Sequence, residues 1–300
     1  MSYSARMSTR TRITQPYGCA KAVPSPDREA AMWLDQLNFT GRRAVVTGGA
    51  SGMGAAAVAT LRELGADVEV VDVRDDVPGG VRAHIADLRD PASIDAAVAR
   101  IGDGVDVLVN AAGMPQTAGY RDVLACNLAG LRHLTESLVP GMPRGAAIVN
   151  ISSIAGLPWS KHAETLGELL DTPTMDDALD WIDGHPDLGD PYVWSKMALN
   201  LYTLRRAPQL VEPGIRMNAV CPGNTTTPMS EAFIAHSGAE VIERISSVAG
   251  VPATPQQQAD AIVFLASDLA SYVTGALLNV DGGFAAAAQT RQLARPGAGR

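Results

Sequence analysis

The chain has 300 residues, 46% of them hydrophobic and 19% charged, with a formal net charge of −8; that is ample for a large core and excludes nucleic acid as the main partner, because phosphate binding needs a basic face. No apolar run reaches the roughly 18–20 residues of a membrane span. The three cysteines (Cys19, Cys126, Cys221) and the five histidines are dispersed without metal-ligand spacing, and so few thiols fit a reducing, cytoplasmic setting.

Residues 1–38 read as a disordered extension. The first 26 carry Arg6, Arg10, Arg12 and Lys21 without an acid and are rich in Ser and Thr. A transit peptide, or a start codon upstream of a working Met32, are the alternatives. RRAVVTG (42–48) then reads as a buried strand, AAAVATLREL (55–64) as a helix, ADVEVVDV (66–73) as a strand and SIDAAVARI (93–101) as a helix. VDVLVNAAG (105–113) is a strand, residues 121–138 a long helix and AAIVNIS (146–152) a strand. A helix from Tyr192, a strand over 215–223, a helix over 257–267 and a strand over 276–283 complete the pattern. Val/Ile-rich strands separated by helices predict a parallel sheet covered on both faces. The expected fold is a doubly wound, Rossmann-type α/β domain over 39–286, with 287–300 as a loose tail. One segment breaks the rhythm: 38 residues separate Ser153 from Tyr192, where a strand-to-helix connection needs only a few. Leu166, Leu169 and Leu170, then Ala178, Leu179, Trp181 and Ile182, predict two short helices ended by Gly184-His185-Pro186. This insertion, about 158–188, lies at the rim where strands end and ligands bind.

The chemistry begins at Thr47-Gly-Gly-Ala-Ser-Gly-Met-Gly54. Gly48, Gly52 and Gly54, with Ser51 and Met53 between them, fall where the first strand turns into the first helix. They permit positive φ and let backbone amides approach a pyrophosphate. Asp72, at the end of the second strand, suits ribose hydroxyls and repels a 2′-phosphate, which predicts NAD over NADP; Arg74 is the basic residue that argues the other way. Tyr192 and Lys196 share one helix face at i and i+4, and Lys196 is one of only three lysines. A lysine beside a phenol favours the phenolate and is expected to lower the tyrosine pKa from about 10. The plain alternative is a tyrosine packed along a lysine stem.

Taken in order, the T-G-x-x-x-G-x-G turn, Asn110-Ala-Ala-Gly113, Ser153, Tyr192-x-x-x-Lys196, Asn218-Ala-Val-Cys-Pro-Gly223 and Val280-Asp-Gly-Gly283 resemble the single-domain branch of the short-chain dehydrogenase/reductase family, over residues from about 40 to 286. The resemblance implies that Tyr192 exchanges the substrate proton while Lys196 lowers its pKa and holds the nicotinamide ribose. It implies Ser153, or alternatively Ser152, as the residue bonded to the reacting oxygen, and Asn127 as the holder of a relay water. Asp87 and Leu88 would contact adenine, and Asn110, Ala111 and Gly113 would line the adenosine side. Pro222, Gly223 and Thr227 would hold the carboxamide and pyrophosphate. Trp194, where a small residue is usual, and Ala111, where a second Asn is common, depart from the pattern. The long insertion resembles that of bacterial 3α-hydroxysteroid dehydrogenase/carbonyl reductases and of coniferyl-alcohol dehydrogenases. The implied substrate is an apolar, ring-bearing alcohol or ketone, with Ile154, Leu157, Trp159, Met229 and Phe233 as candidate lining. A homodimer or homotetramer is implied, with the insertion a lid or an interface element. An NADP-linked carbonyl or 3-oxoacyl reductase, and a non-catalytic dinucleotide-binding regulator, are the competing readings.

Overall fold

A computed structural model describes residues 34–77, 79–230, 243 and 246–290. The expectations for residues 1–33, Phe233 and 291–300 lie outside these. Seven parallel strands form one sheet in the order β3-β2-β1-β4-β5-β6-β7: β1 (Arg43–Thr47), β2 (Asp67–Asp72), β3 (Arg82–Ile85), β4 (Val107–Asn110), β5 (Ala147–Ile151), β6 (Arg216–Pro222) and β7 (Leu277–Val280). Side chains alternate across the pleat, so each strand feeds two cores. Val45, Leu108 and Ile148 join the core on one face, whereas Val46, Val109 and Val149 join the core on the other. The second of these is covered by α1 (Gly52–Glu63) and by α7 (Pro255–Ala266), a later helix of the chain. The first lies under α2 (Pro91–Ile101), α3 (Tyr120–Leu138) and α6 (Pro191–Arg206). From Gln36 onward the chain clusters as one compact unit.

Local sequence sets the helix starts. Asp90 accepts from the Ala92 amide at 3.0 Å with Pro91 at the first helical position of α2. Asp190 accepts from Tyr192 N (2.8 Å) and Val193 N (3.2 Å) ahead of Pro191 and so fixes where α6 begins. Thr254 and Gln257 form a capping box on α7. Each side-chain oxygen satisfies amides that a helix start leaves unpaired.

Three features differ from the expected pattern of elements. β3 is a four-residue edge strand, Arg-Ala-His-Ile, too short and polar to show a Val/Ile run. α3 comprises an α-helical stretch Tyr120–Leu124, a π-helical turn Ala125–Gly130 and a second α-helical stretch Leu131–Leu138. Residues 287–289, expected in a loose tail, belong to a short helix α8 (Phe284–Gln289) with Gly283 at the N-cap, and Asp281 accepts from its Ala285 N at 2.7 Å.

The insertion contains the two expected helices, α4 (Ala163–Leu170) and α5 (Met175–Gly184), preceded by a 3₁₀ segment Ile154–His162. Leu166, Leu169, Met175, Ala178, Leu179 and Ile182 are buried in the core shared with α3 and α6. Arg132 of α3 reaches the end of α4, donating to the carbonyls of Leu169 (3.2 Å), Leu170 (2.9 Å) and Thr174 (3.3 Å) and to Thr172 Oγ1 (2.8 Å). Arg121 pairs with Asp183 at 2.9 Å, and Tyr120 Oη donates to the His185 carbonyl at 2.8 Å. Among the described residues no helix is long and apolar enough to cross a membrane, and no cluster of three or more His, Cys, Asp or Glu could hold a metal ion.

Candidate active site

The strand order reverses between β1 and β4, so the loops leaving their carboxyl ends diverge and open a crevice. A cleft of ≈ 290 Å³ lies there. Its glycines are required by space. Gly48 has φ +68, and a Cβ on it would stand 2.6 Å from Ala112 Cα. A Cβ on Gly54 would stand 2.2 Å from the Gly48 carbonyl oxygen. The α1 N-cap, Ser51, makes no side-chain capping bond, so the first amides of α1 are left to an anion in the cleft.

Gly48, Ser51, Gly52, Met53 and Gly54 form one wall, and Thr227 stands across from Gly52. Asp72, Asp87 and Leu88 lie in the lining together with Ala111 and Gly113. Asp72 Oδ2 accepts from Ala50 N at 3.0 Å and Oδ1 from Arg74 N at 3.1 Å, which ties the carboxylate to the glycine turn. Arg74 itself is turned onto Asp76, with Nε donating to Oδ1 at 2.6 Å. Asp87 is chelated by Arg89, whose hydrogen bonds hold the carboxyl below the usual carboxylate range against the opposing effect of burial. Arg89 also reaches Asp122 at 2.8 Å. Arg89, Met114 and Cys126 line the cleft and were not anticipated. The available signal was adjacency, since each directly follows a residue that was named (Leu88, Gly113) or precedes one (Asn127).

Five predicted binding residues are not in the lining: Tyr192 and Lys196, described below, and Asn110, Pro222 and Gly223. Asn110 is fully buried and turned into the sheet, donating to Thr135 Oγ1 and Asn150 Oδ1, both at 2.9 Å. Its Nδ2 is thus committed to the sheet, although Oδ1 has no partner among the described residues, which corrects its expected placement. Pro222 closes β6 in a buried position. Gly223 abuts the backbone at Asp281, where a Cβ would stand 2.8 Å from Cα.

The four residues expected to carry chemistry come from three elements. Ser153 caps the 3₁₀ segment after β5, accepting from Ala155 N at 3.1 Å, and hydrogen-bonds the Tyr192 phenol. Ser152 points the other way and donates to the Lys196 carbonyl at 3.3 Å, so the alternation of the strand separates the two serines. On α6, Lys196 Nζ lies 5.5 Å from the Tyr192 ring centroid and donates to the Ile151 carbonyl at 2.7 Å. Desolvation pushes the Tyr192 phenol up to about 12, only partly offset by Ser153. Desolvation likewise lowers the Lys196 ammonium to about 8. The expected lowering of the phenol by Lys196 is thus not met in the protein alone, because loss of water outweighs what the neighbours supply.

Asn127 sits in the π turn of α3, fully buried. Its Oδ1 accepts from Met114 N at 2.7 Å, and Nδ2 donates to the Met114 carbonyl at 3.0 Å and to Ser195 Oγ at 3.3 Å. It therefore pins the loop after β4 to the start of α6. A π turn widens a helix by one residue and is frequent at functional sites. The residues present fit a dinucleotide: close backbone approach at the glycines, free helix amides for a pyrophosphate and a carboxylate beside the turn for ribose hydroxyls.

Comparison with known proteins agrees with this arrangement. Residues 42–164 match the family model described as short chain dehydrogenase, and 183–285 the one described as Enoyl-(Acyl carrier protein) reductase; the gap between them falls inside the insertion. The chain is 31% identical to a coniferyl-alcohol dehydrogenase of Pseudomonas sp. (strain HR199 / DSM 7063), covering 83% of this chain and 98% of that protein. It is 32% identical to a 3-alpha-hydroxysteroid dehydrogenase/carbonyl reductase of Comamonas testosteroni, again over 83% and 98%. The crystal structure of a 3-alpha-hydroxysteroid dehydrogenase from Pseudomonas sp. B-0831 complexed with NADH superposes with a TM-score of 0.71 at 29% identity, covering 84% of this chain and all of that one. With both halves of the sheet matched and the relatives spanned almost end to end, the chain belongs to the short-chain dehydrogenase/reductase family, whose members are NAD(P)-dependent oxidoreductases acting on CH–OH groups.

Proposed function

We propose that this enzyme uses NAD to interconvert an apolar, ring-bearing alcohol and its carbonyl compound, with Tyr192 as the acid/base. The observation that carries the reading is the Ser153–Tyr192–Lys196 cluster, with a serine on the phenol and an ammonium 5.5 Å from its ring. The nicotinamide, when bound, supplies the two-electron acceptor or donor. Tyr192 takes the hydroxyl proton during oxidation and returns it during reduction. Ser153 donates to the substrate oxygen and holds it at the phenol, and Lys196 supplies positive charge that opposes the desolvation of the phenolate. Asn127 fixes Met114 and, through it, the loop after β4. Ile154, Leu157 and Trp159 of the 3₁₀ segment and Met229 offer an apolar surface for the ring.

Cofactor preference rests on Asp72, whose carboxylate beside the glycine turn disfavours a 2′-phosphate, while Arg74 is occupied by Asp76. Relatives named for a hydroxysteroid and for coniferyl alcohol support an apolar ring. A homodimer or homotetramer in the cytoplasm completes the proposal. The test is turnover of hydroxysteroids and cinnamyl-type alcohols with NAD and then NADP, followed by absorbance of the reduced cofactor. Turnover with NAD that falls at least about a hundredfold in Tyr192→Phe, while NADH still binds, is the expected result. Turnover with NADP alone points to an NADP-linked carbonyl or 3-oxoacyl reductase, and NADH binding without turnover of any alcohol to a regulatory role.

A further inference from the structure

Gln258 is a fully buried polar side chain on α7, away from the catalytic cluster. Its Nε2 donates to the Val280 carbonyl at 3.0 Å and to Thr225 Oγ1 at 3.2 Å. The orientation of the amide is fixed by chemistry, because a backbone carbonyl only accepts. Its Oε1 is left buried without a hydrogen-bond partner, a state that costs stability and that an apolar side chain of similar size would avoid.

The two groups it joins flank one wall of the cleft. Thr225 Oγ1 passes the bond on to the Gly223 carbonyl at 3.2 Å. Gly223 N donates to the same Val280 carbonyl at 3.1 Å. Asn224 and Thr226 are tied to Ala253, the residue before the α7 cap, by Ala253 N→Asn224 O and Thr226 N→Ala253 O, both 2.9 Å. Directly after Thr226, Thr227 lines the cleft, its Cγ2 3.5 Å from where a Cβ on Gly52 would stand. Gln258 is thus the side chain beneath the segment 223–227, bracing it from α7 and from the end of β7 at once.

We propose that Gln258 is a positioning residue for the cofactor: it holds the 223–227 segment so that Thr227 faces the glycine turn across the width a dinucleotide needs, and it does so at the expense of fold stability. The inference rests on the cleft being the dinucleotide site. Gln258 touches neither substrate nor reacting atoms and acts only through Thr225 and Val280.

The test uses the full chain and measures NADH affinity by quenching of tryptophan fluorescence, with the thermal midpoint of the cofactor-free protein recorded alongside. Gln258→Met keeps volume and removes both donors and the unpaired acceptor. Its cofactor-free midpoint should be equal to or above that of the wild type, while NADH dissociation rises about threefold to tenfold, the range of one or two hydrogen bonds. Thr225→Val, an isosteric change of a single hydroxyl, should weaken NADH to a similar degree. The double variant should be no weaker than either single one, because both break the same brace. NADH affinity within twofold of wild type in both single variants overturns the proposal, as does a fall in the cofactor-free midpoint with affinity unchanged. Failure of the wild type itself to bind NADH overturns the cofactor reading instead, so the two failures are distinguishable.

Discussion

At the scale of single residues, the site is poised by desolvation. Lys196 titrates at about 8 in the fold against 10.5 for a free lysine. Between those values the unfolded chain carries a proton that the folded chain does not, so this group makes stability rise with pH from about 8 to 10.5. Tyr192 works in the opposite sense: its pKa is raised from 10.0 to about 12, so its contribution is full below 10 and is lost between 10 and 12. Burial pushes the Cys126 and Cys221 thiols up to about 12 and about 11, so they oppose the Lys196 gain above about pH 9. The change in urea stability from pH 8 to pH 10 should therefore be less favourable in Lys196→Met than in the wild type, and an equal change in both would mean that Lys196 is not withdrawn from solvent. Asp72 makes a second prediction. Asp72→Ser should shift the NAD-to-NADP ratio of kcat/KM toward NADP by about tenfold or more, by relieving charge repulsion. The same change removes the anchors of Ala50 N and Arg74 N, so affinity for NAD should fall as well.

At the scale of elements, the insertion is attached by two kinds of contact. Apolar faces of α4 and α5 share the core of α3 and α6, and Arg132, itself buried, ties off the carbonyls at the end of α4. Removing that guanidinium takes the donor from the Leu170 carbonyl, whereas Leu169 O still accepts from Thr172 Oγ1 and Thr174 O from Ala178 N. Arg132→Leu should cost about 3 kcal/mol and accelerate hydrogen exchange in 163–184 ahead of the sheet; equal protection in variant and wild type would show that packing alone holds the insertion. The two helices were legible because Leu166, Leu169, Ala178 and Ile182 fall at helical spacing, and Gly184-His185-Pro186 is a strong stop. The glycine turn and the Tyr192/Lys196 pair were legible for the same reason, since local spacing fixes local geometry. β3 was not, because an edge strand needs no continuous apolar run. The π turn of α3 was not, because one extra residue in a helix leaves no periodic trace over six positions. Asn110 and Gln258 show the further limit: which neighbour a buried amide bonds depends on residues 22 to 40 positions away, and no local pattern contains that.

At the scale of the molecule, acid sensitivity has an identifiable centre. Glu69 of β2, 2% exposed, lies between Arg43 of β1, at 2.5 Å, and His84 of β3, also at 2.5 Å. Burial works to raise its carboxyl, and the hydrogen bonds and charges of Arg43 and His84 outweigh it, so the carboxyl lies below its ordinary 4.5. A lowered carboxyl contributes stability that is present above the unfolded value and lost as pH falls through the folded one. Denaturant midpoints should thus drop below about pH 4.5. Glu69→Gln should cost about 3 kcal/mol at neutral pH and show a shallower acid limb; a limb as steep as wild type would place the sensitivity elsewhere.

The strand order β3-β2-β1-β4-β5-β6-β7 has a consequence for synthesis on the ribosome. Read from the amino terminus, every new strand joins a free edge: β2 and β3 extend the sheet to one side of β1, then β4 to β7 extend it to the other. No strand has to be threaded between two already paired, so the sheet can accrete as the chain emerges. The last edge to arrive, β7, carries the Val280 carbonyl on which Gly223 and Gln258 converge. A nascent chain complete through β6 can therefore hold the glycine turn and the helix carrying Tyr192 and Lys196 yet lack the braced wall opposite them, which forms only once β7 has joined the sheet.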